Sequence, residues 1–213
     1  MKIMAAIDRK AFEKMDYALC VLCAAAGGAY HGCIINSLHQ ATSSYPAKFT
    51  VTVNRDHETC KAIQAAGSFA VTLLSADCPA EIINTFGYRS GRVTDKFAGV
   101  NFKTDDAGNP YLMDHAAARI SCKVVDQLII GSYILFVGEA TEAETRNQDS
   151  VLTLKAYTAR GKATPPTATV YRTMEGGGFR CTICGYVHES ETLPPDFICP
   201  ICRAAADKFV KQG

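Results

Sequence analysis

The sequence predicts a mostly β protein with short helices: an antiparallel barrel with helical insertions, followed by a small C-terminal module organised around a metal ion. Three observations lead there. Strand-like runs succeed one another with only brief helical patterns between them. Nothing alternates regularly as strand and helix, which argues against a doubly wound sheet. The chain has 213 residues, 48% of them hydrophobic, enough for one sizeable core and a small extra unit. Of ten cysteines, four sit in two tight C-terminal pairs, while Cys20, Cys23, Cys33, Cys60, Cys78 and Cys122 are scattered through apolar runs. That distribution fits a reducing compartment with one metal site better than a disulfide framework.

The elements follow in order. Residues 8–16 read as a short helix capped by Asp8, with Ile7, Ala11, Phe12 and Met15 as its apolar stripe. Strands are expected over residues 17–24 and 30–37, joined by a turn at Gly27 and Gly28. Residues 49–54 alternate Phe49, Val51 and Val53 against Thr50, Thr52 and Asn54, a strand with two distinct faces. A helix is expected from Asp56, as cap, to Ala66, with Gly67 as its stop. A strand over 68–74 and a helix over 77–86 with Pro79 in its first turn come next. Strands over 119–127, 132–140 and 151–156 complete the barrel. Residues 160–178, with Pro165, Pro166, several Thr and three glycines at 176–178, read as a partly extended linker ending in a flexible hinge. The expected domains are therefore 1–159, the barrel, and 179–213, the metal module.

Lys and Arg number 22 against 21 Asp and Glu, a net charge of +1, so there is no electrostatic footprint for nucleic acid. The longest apolar stretch, residues 17–30, is too short to span a bilayer. Asp8, Glu13 and Asp16 before it are unlike the basic start of a secretory signal. A cytoplasmic protein with no membrane contact is expected.

The C-terminal pairs are Cys181-Thr-Ile-Cys184-Gly and Cys199-Pro-Ile-Cys202, with residues 185–198 between them. Each C-x-x-C places two thiolates on one tight turn, and two facing turns make a tetrahedral S4 cage. Gly185 permits the backbone twist after the first pair, and Pro200 stiffens the second. So short a module cannot hold itself together by core alone, so the metal supplies its fold. A tetrahedral S4 cage fits either metal, and spacing alone favours a structural zinc ribbon somewhat over an iron site. Cys20 and Cys23 also form a C-x-x-C, but inside a strand-like run, without a following Gly or a partner pair, and we read them as structural.

The run from Phe179 to Glu189, with Cys199, Cys202 and the trailing Lys208-Phe209, resembles the rubredoxins, especially the rubredoxin-like domain of rubrerythrins. The resemblance implies one iron ion on Cys181, Cys184, Cys199 and Cys202, carrying one electron.

In the first domain three constellations stand out: the polar stretch Asn36-Ser-Leu-His-Gln-Ala-Thr-Ser-Ser-Tyr-Pro46, the loop Ser90-Gly-Arg-Val-Thr-Asp-Lys-Phe97, and Gly131-Ser-Tyr-Ile-Leu-Phe-Val-Gly-Glu139. Amides and hydroxyls of the first can meet a ring edge and a polyol, and Arg92 and Lys96 of the second can neutralise a phosphate. Taken singly, each is also compatible with ordinary turns and solvated charge. In this order they resemble the flavin reductase-like family with the FMN-binding split barrel, over about residues 7–157. The resemblance implies FMN held non-covalently at or near a homodimer interface. Asn36, Ser37, Gln40, Thr42 and Ser43 would line it, Asn54, Arg55 and Thr59 would approach it, and Ser90, Arg92 and Lys96 would serve its phosphate. The family's Asp-His pair is Ser132-Tyr133 here, and a single Pro46 follows Tyr45 where many members have two prolines. His39 is the nearest proton donor in the first loop, and no catalytic residue is assigned. There is no G-x-G-x-x-G after a strand and no phosphate-binding P-loop.

A split barrel fused to a rubredoxin-like domain resembles the high-molecular-weight rubredoxins of anaerobic bacteria. The implied function is an electron-transfer flavoprotein that passes electrons from NAD(P)H through FMN to the iron and on to a redox partner protein, such as an oxygen- or nitric-oxide-reducing diiron flavoprotein. A flavin accepts electrons in pairs and releases them singly, so it adapts a hydride donor to a one-electron iron. The alternative is a free-flavin (FMN) reductase whose C-terminal unit is a structural zinc ribbon.

Overall fold

The computed structural model describes residues 8–170, 178–183, 185–188, 190–200 and 202–211. The chain enters through a 3-10 helix, Arg9–Lys14, whose cap Asp8 accepts a hydrogen bond from the Lys10 amide. The first hairpin pairs β1 (Cys20–Ala26) with β2 (Ala29–Ile35), and Gly27 and Gly28 take the left-handed φ values of +60° and +76° that its two-residue turn requires. Then come β3 (His39–Gln40), β4 (Lys48–Asn54), α1 (Glu58–Ala66), β5 (Ser68–Leu74) and α2 (Ala80–Tyr88). A small hairpin, β6 (Phe102–Thr104) and β7 (Pro110–Leu112), precedes the long hairpin of β8 (Ala116–Ile130) and β9 (Tyr133–Thr145). The seven-stranded antiparallel sheet runs β2-β1-β5-β8-β9-β4-β3.

The sheet is curled until its ends meet at Ser37. Just past β2, the Ser37 hydroxyl donates to the Thr52 carbonyl and accepts from the Thr52 amide of β4, both at 3.0 Å. One side chain thus stands in for a strand where the barrel splits. Inside lie Leu22, Ile35, Val51, Val53, Phe69, Phe136 and the Ile63 face of α1, all buried. A second layer outside, with Val21, Ile34, Ile83, Phe86 and Leu152, packs beneath α2. β1 is therefore covered on both faces, which is why its sequence, Cys-Val-Leu-Cys-Ala-Ala-Ala, is almost wholly apolar. Cys20 faces one layer and Cys23 the other, as strand alternation demands, so this C-x-x-C cannot chelate. Burial pushes the Cys20 and Cys122 thiols up to about 12. Gly138, in the third constellation, has no room for a side chain: a Cβ there would lie 2.6 Å from both Phe69 Cζ and Cys122 Cβ.

Several expectations need correction. Residues 151–156 are not a strand: single bridges at Val151 and Thr153 give way to α3 (Leu154–Thr158), because Thr153 Oγ1 accepts the Ala156 amide as a helix cap. Asp56 does not cap α1; His57 holds that position, and the Asp56 amide instead donates to Asn54 Oδ1. β6 and β7 were not anticipated: a strand of three residues carries too little alternation to read. The first half of the linker is bonded down onto the barrel. Asn36 donates to the Thr169 carbonyl and accepts from the Thr169 amide, mimicking a strand pair, and the Tyr88 hydroxyl donates to the Ala163 carbonyl. The expected hinge at glycines 176–178 lies, except for Gly178, outside the described residues. No helix among the described residues is long and apolar enough to cross a membrane.

Candidate functional site

The C-terminal module is a three-stranded sheet, β11 (Val187–His188), β10 (Phe179–Cys181) and β12 (Phe209–Lys211), with two loops turned toward each other beside it. The loops repeat one hydrogen-bond pattern. The Cys181 amide donates to the Tyr186 carbonyl and the Gly185 amide to the Cys181 carbonyl; the Cys199 amide donates to the Ala204 carbonyl and the Arg203 amide to the Cys199 carbonyl. Each loop needs a left-handed residue four places after its first cysteine. Gly185 supplies φ +77° in one loop; Arg203 is forced to φ +61° in the other. The sequence showed the glycine but gave no sign that an arginine occupies the matching strained position.

The sulfurs of Cys181, Cys199 and Cys202 all lie within 4.8 Å of one another, and the three residues are at most 2% exposed. Cys181 Sγ and Cys202 Sγ are 3.6 Å apart. A tetrahedron of metal–sulfur bonds near 2.3 Å has an edge of about 3.8 Å, so these thiols stand close to where a bound ion would hold them. The fourth expected ligand, Cys184, lies outside the described residues. Ile183, Tyr186 and Phe209 pack over the sulfurs and exclude water. The donor set thus fits a tetrathiolate metal. Because Arg203 is exposed, replacing it with glycine should relieve backbone strain at no packing cost. Offset by glycine's entropy, the gain should be about 0.5–1 kcal/mol. Arg203→Gly should raise the temperature at which the thiolate–metal absorption is lost; an equal or lower midpoint would mean the φ +61° geometry carries no strain.

A cleft in the barrel domain opens between residues 30–33 of β2, residues 56–59 at the start of α1, and the loop after α2. Thr59, Ser90, Arg92 and Lys96 of the expected flavin set line it. Arg92 Nε donates to Glu58 Oε1 at 2.8 Å and an Nη donates to the Asp56 carbonyl at 2.9 Å, which fixes its guanidinium at the helix start. Burial pushes Glu58 up, but its hydrogen bonds to Lys61 and Arg92 outweigh this and hold the carboxylate below its usual range. Lys96 is 7% exposed and donates to the carbonyls of Gly32 and Phe86 at 2.9 and 3.2 Å; burial lowers its pKa. Both cations are thus fixed by hydrogen bonds where they border the cleft. Thr167 Oγ1, also in the lining, is buried with no hydrogen-bond partner. An orphaned hydroxyl beside two fixed cations is what a bound phosphate-bearing ligand would satisfy.

The other expected flavin residues do not line this cleft. Asn36 is spent on Thr169 and Ser37 on Thr52. Gln40 donates to the Thr42 carbonyl, and the Thr42 hydroxyl accepts the Lys48 amide, while Ser43 and Arg55 are exposed. Asn54 Nδ2 donates to the Thr182 carbonyl of the metal module at 3.3 Å.

The metal module and the cleft meet through one expected ligand and two residues that the sequence did not single out, Ile183 and His57. Ile183 and Cys202 of the metal module form part of the cleft wall, in company with Arg92 and Lys96. His57, also in the wall, has its Nε2 2.6 Å from the Ile183 carbonyl. Burial pushes the His57 pKa down to about 4, so the ring is neutral at pH 7 and its Nε2–H is the donor.

Comparison with known proteins agrees with this layout. Residues 12–162 match the family described as flavin reductase like domain, and residues 179–210 match the rubrerythrin, rubredoxin-like domain. A high molecular weight rubredoxin of Moorella thermoacetica is 33% identical, over 95% of this chain and 99% of that protein. A ferric-chelate reductase (NAD(P)H) of Archaeoglobus fulgidus is 39% identical, over 78% of this chain and 98% of that one. Among solved structures, an NADH:FAD oxidoreductase of Streptomyces globisporus shares the fold of the first domain. Its TM-score is 0.62 at 20% identity, over 72% of this chain and 92% of that one.

Proposed function

This chain belongs to the flavin reductase-like family and ends in a rubredoxin-like domain, and from that premise we propose that it is an oxidoreductase carrying electrons from NAD(P)H through FMN to a single iron on its own C-terminal cysteines. The observation that carries the reading is the shared wall: one cleft is lined both by Arg92, Lys96 and the orphaned Thr167 hydroxyl and by Cys202 of the metal centre. Bound FMN would supply the conversion of a hydride's electron pair into single electrons.

The chain's own residues do the rest. Ser90, Arg92, Lys96, Thr59 and Thr167 would hold the phosphate end. Glu58 and the Asp56 carbonyl keep the Arg92 guanidinium aimed before any ligand arrives, so little side-chain entropy is lost on binding. Ile183, Tyr186 and Phe209 keep water from the thiolates. The Archaeoglobus relative is described as using NAD(P)H, which supports the same donor here. The final acceptor would be a redox protein such as a diiron flavoprotein, and the working unit a homodimer in the cytoplasm, where thiolates stay reduced.

The test is anaerobic titration of FMN- and iron-loaded protein with NADH or NADPH. The flavin and the iron–thiolate bands should both bleach, with about three electrons taken up per chain: two by the flavin and one by the iron. Flavin bleaching with unchanged iron bands would mean that the metal is not in the pathway. Stoichiometric zinc in protein from iron-sufficient cells would leave a flavin reductase with a structural ribbon.

A further inference from the structure

The metal module is seated on the barrel through the very loop that ties its first two ligands. Between Cys181 and Cys184 stand only Thr182 and Ile183, and the carbonyls of both are bonded to the barrel. Asn54 Nδ2 donates to one at 3.3 Å and His57 Nε2 to the other at 2.6 Å. The residue after the loop, Gly185, packs on the connecting segment so closely that a Cβ there would be 2.9 Å from Pro166 Cβ. His57 is the pivot of this arrangement. It occupies the N-cap of α1, a position usually given to Ser, Thr, Asp or Asn, yet its side chain makes no capping bond. The ring reaches out to the module instead.

We propose that His57 is a positioning residue: through its bond to the Ile183 carbonyl it holds the metal loop against the cleft, so that Ile183 and Cys202 form a fixed wall of the flavin site and electrons cross within one chain. The inference rests on the flavin-to-iron reading for its purpose, but not for its geometry. A tether alone would let the module visit the cleft; the three contacts keep it there. Because Thr182 and Ile183 lie between ligands, the same bond fixes the sulfurs relative to the cleft.

The experiment separates docking from electron flow. Hydrogen exchange is first measured on zinc-loaded, flavin-free protein, comparing wild type with His57→Ala and His57→Gln. Gln retains an N–H donor at about the reach of Nε2. In His57→Ala, amides of residues 181–186 should exchange about ten-fold faster, the scale expected for losing one well-buried hydrogen bond, while those of β5 and β8 stay unchanged. Small-angle scattering should show a larger radius of gyration. His57→Gln should recover most of both. In iron-loaded, FMN-loaded protein, His57→Ala should keep the iron–thiolate spectrum, showing the module still folded, but slow iron reduction by about ten-fold. Wild-type exchange and scattering in His57→Ala, or no recovery in His57→Gln, would overturn the positioning role. Undocking by His57→Ala in a protein whose wild-type iron is never reduced by flavin would keep the positioning role and sink only the electron path.

Discussion

Cys199→Ser is expected to strip the metal and unfold residues 178–211 while leaving the barrel intact. The module is about 35 residues long, far too small to bury enough apolar surface for its own stability. Its core is the ligand set itself: Cys181, Cys199 and Cys202 with Ile183, Ala204, Tyr186 and Phe209. Structural zinc in comparably small units contributes on the order of 10–16 kcal/mol at neutral pH, more than such a unit's whole stability. Serine's hydroxyl is a poor ligand where a thiolate stood, and it leaves a buried polar group behind. The barrel has its own inner core, which includes Leu22 and Phe136, and among the described residues none of the module contributes to it. Metal content per chain and hydrogen exchange would check this. Less than a tenth of an ion per chain, by rough estimate, and full exchange of the Tyr186 and Phe209 amides are expected. Full occupancy with wild-type protection would show that the module stands without this ligand. Because Cys202 and Ile183 wall the cleft, the variant should also bind FMN more weakly, by linkage between the docked module and the ligand.

How much of this was legible beforehand depends on the range over which each feature is encoded. β5 matches its expected bounds because Gly67 stops α1 with φ +65° and a purely local alternation follows. The β8–β9 hairpin runs longer than residues 119–127 and 132–140 suggested. Its tip, with Leu128, Ile129 and Ile130 exposed, departs from the in-out alternation that strand reading relies on. The metal centre was readable because an ion dictates both residue type and spacing. The cleft was readable only in part: Ser90, Arg92 and Lys96 share one loop, whereas Thr167 reaches the same place from the connecting segment. The seat of the module could not be read at all. Asn54 and His57 meet Thr182 and Ile183 across more than 120 residues of chain, and neither residue type carries a local signal for such a bond. For the same reason the connecting segment read as a linker: nothing local says that Asn36 will hold Thr169.

The central claim is that electrons pass from flavin to iron within one assembly, and its second large expected effect is on kinetics. A tethered site faces its partner at an effective concentration on the order of millimolar, so at micromolar protein an encounter between separate molecules should be about a thousand-fold slower. Docking by His57 and Asn54 strengthens that advantage, since the module need not search. The deciding measurement is rapid anaerobic mixing of FMN- and iron-loaded protein with a fixed, saturating excess of NAD(P)H, following the iron–thiolate absorption as protein concentration is varied about a hundred-fold. The expected result is a single rate constant for iron reduction that does not change with protein concentration and does not respond to added free FMN. A rate that rises in proportion to protein concentration, or that appears only when free FMN is supplied, would contradict the account.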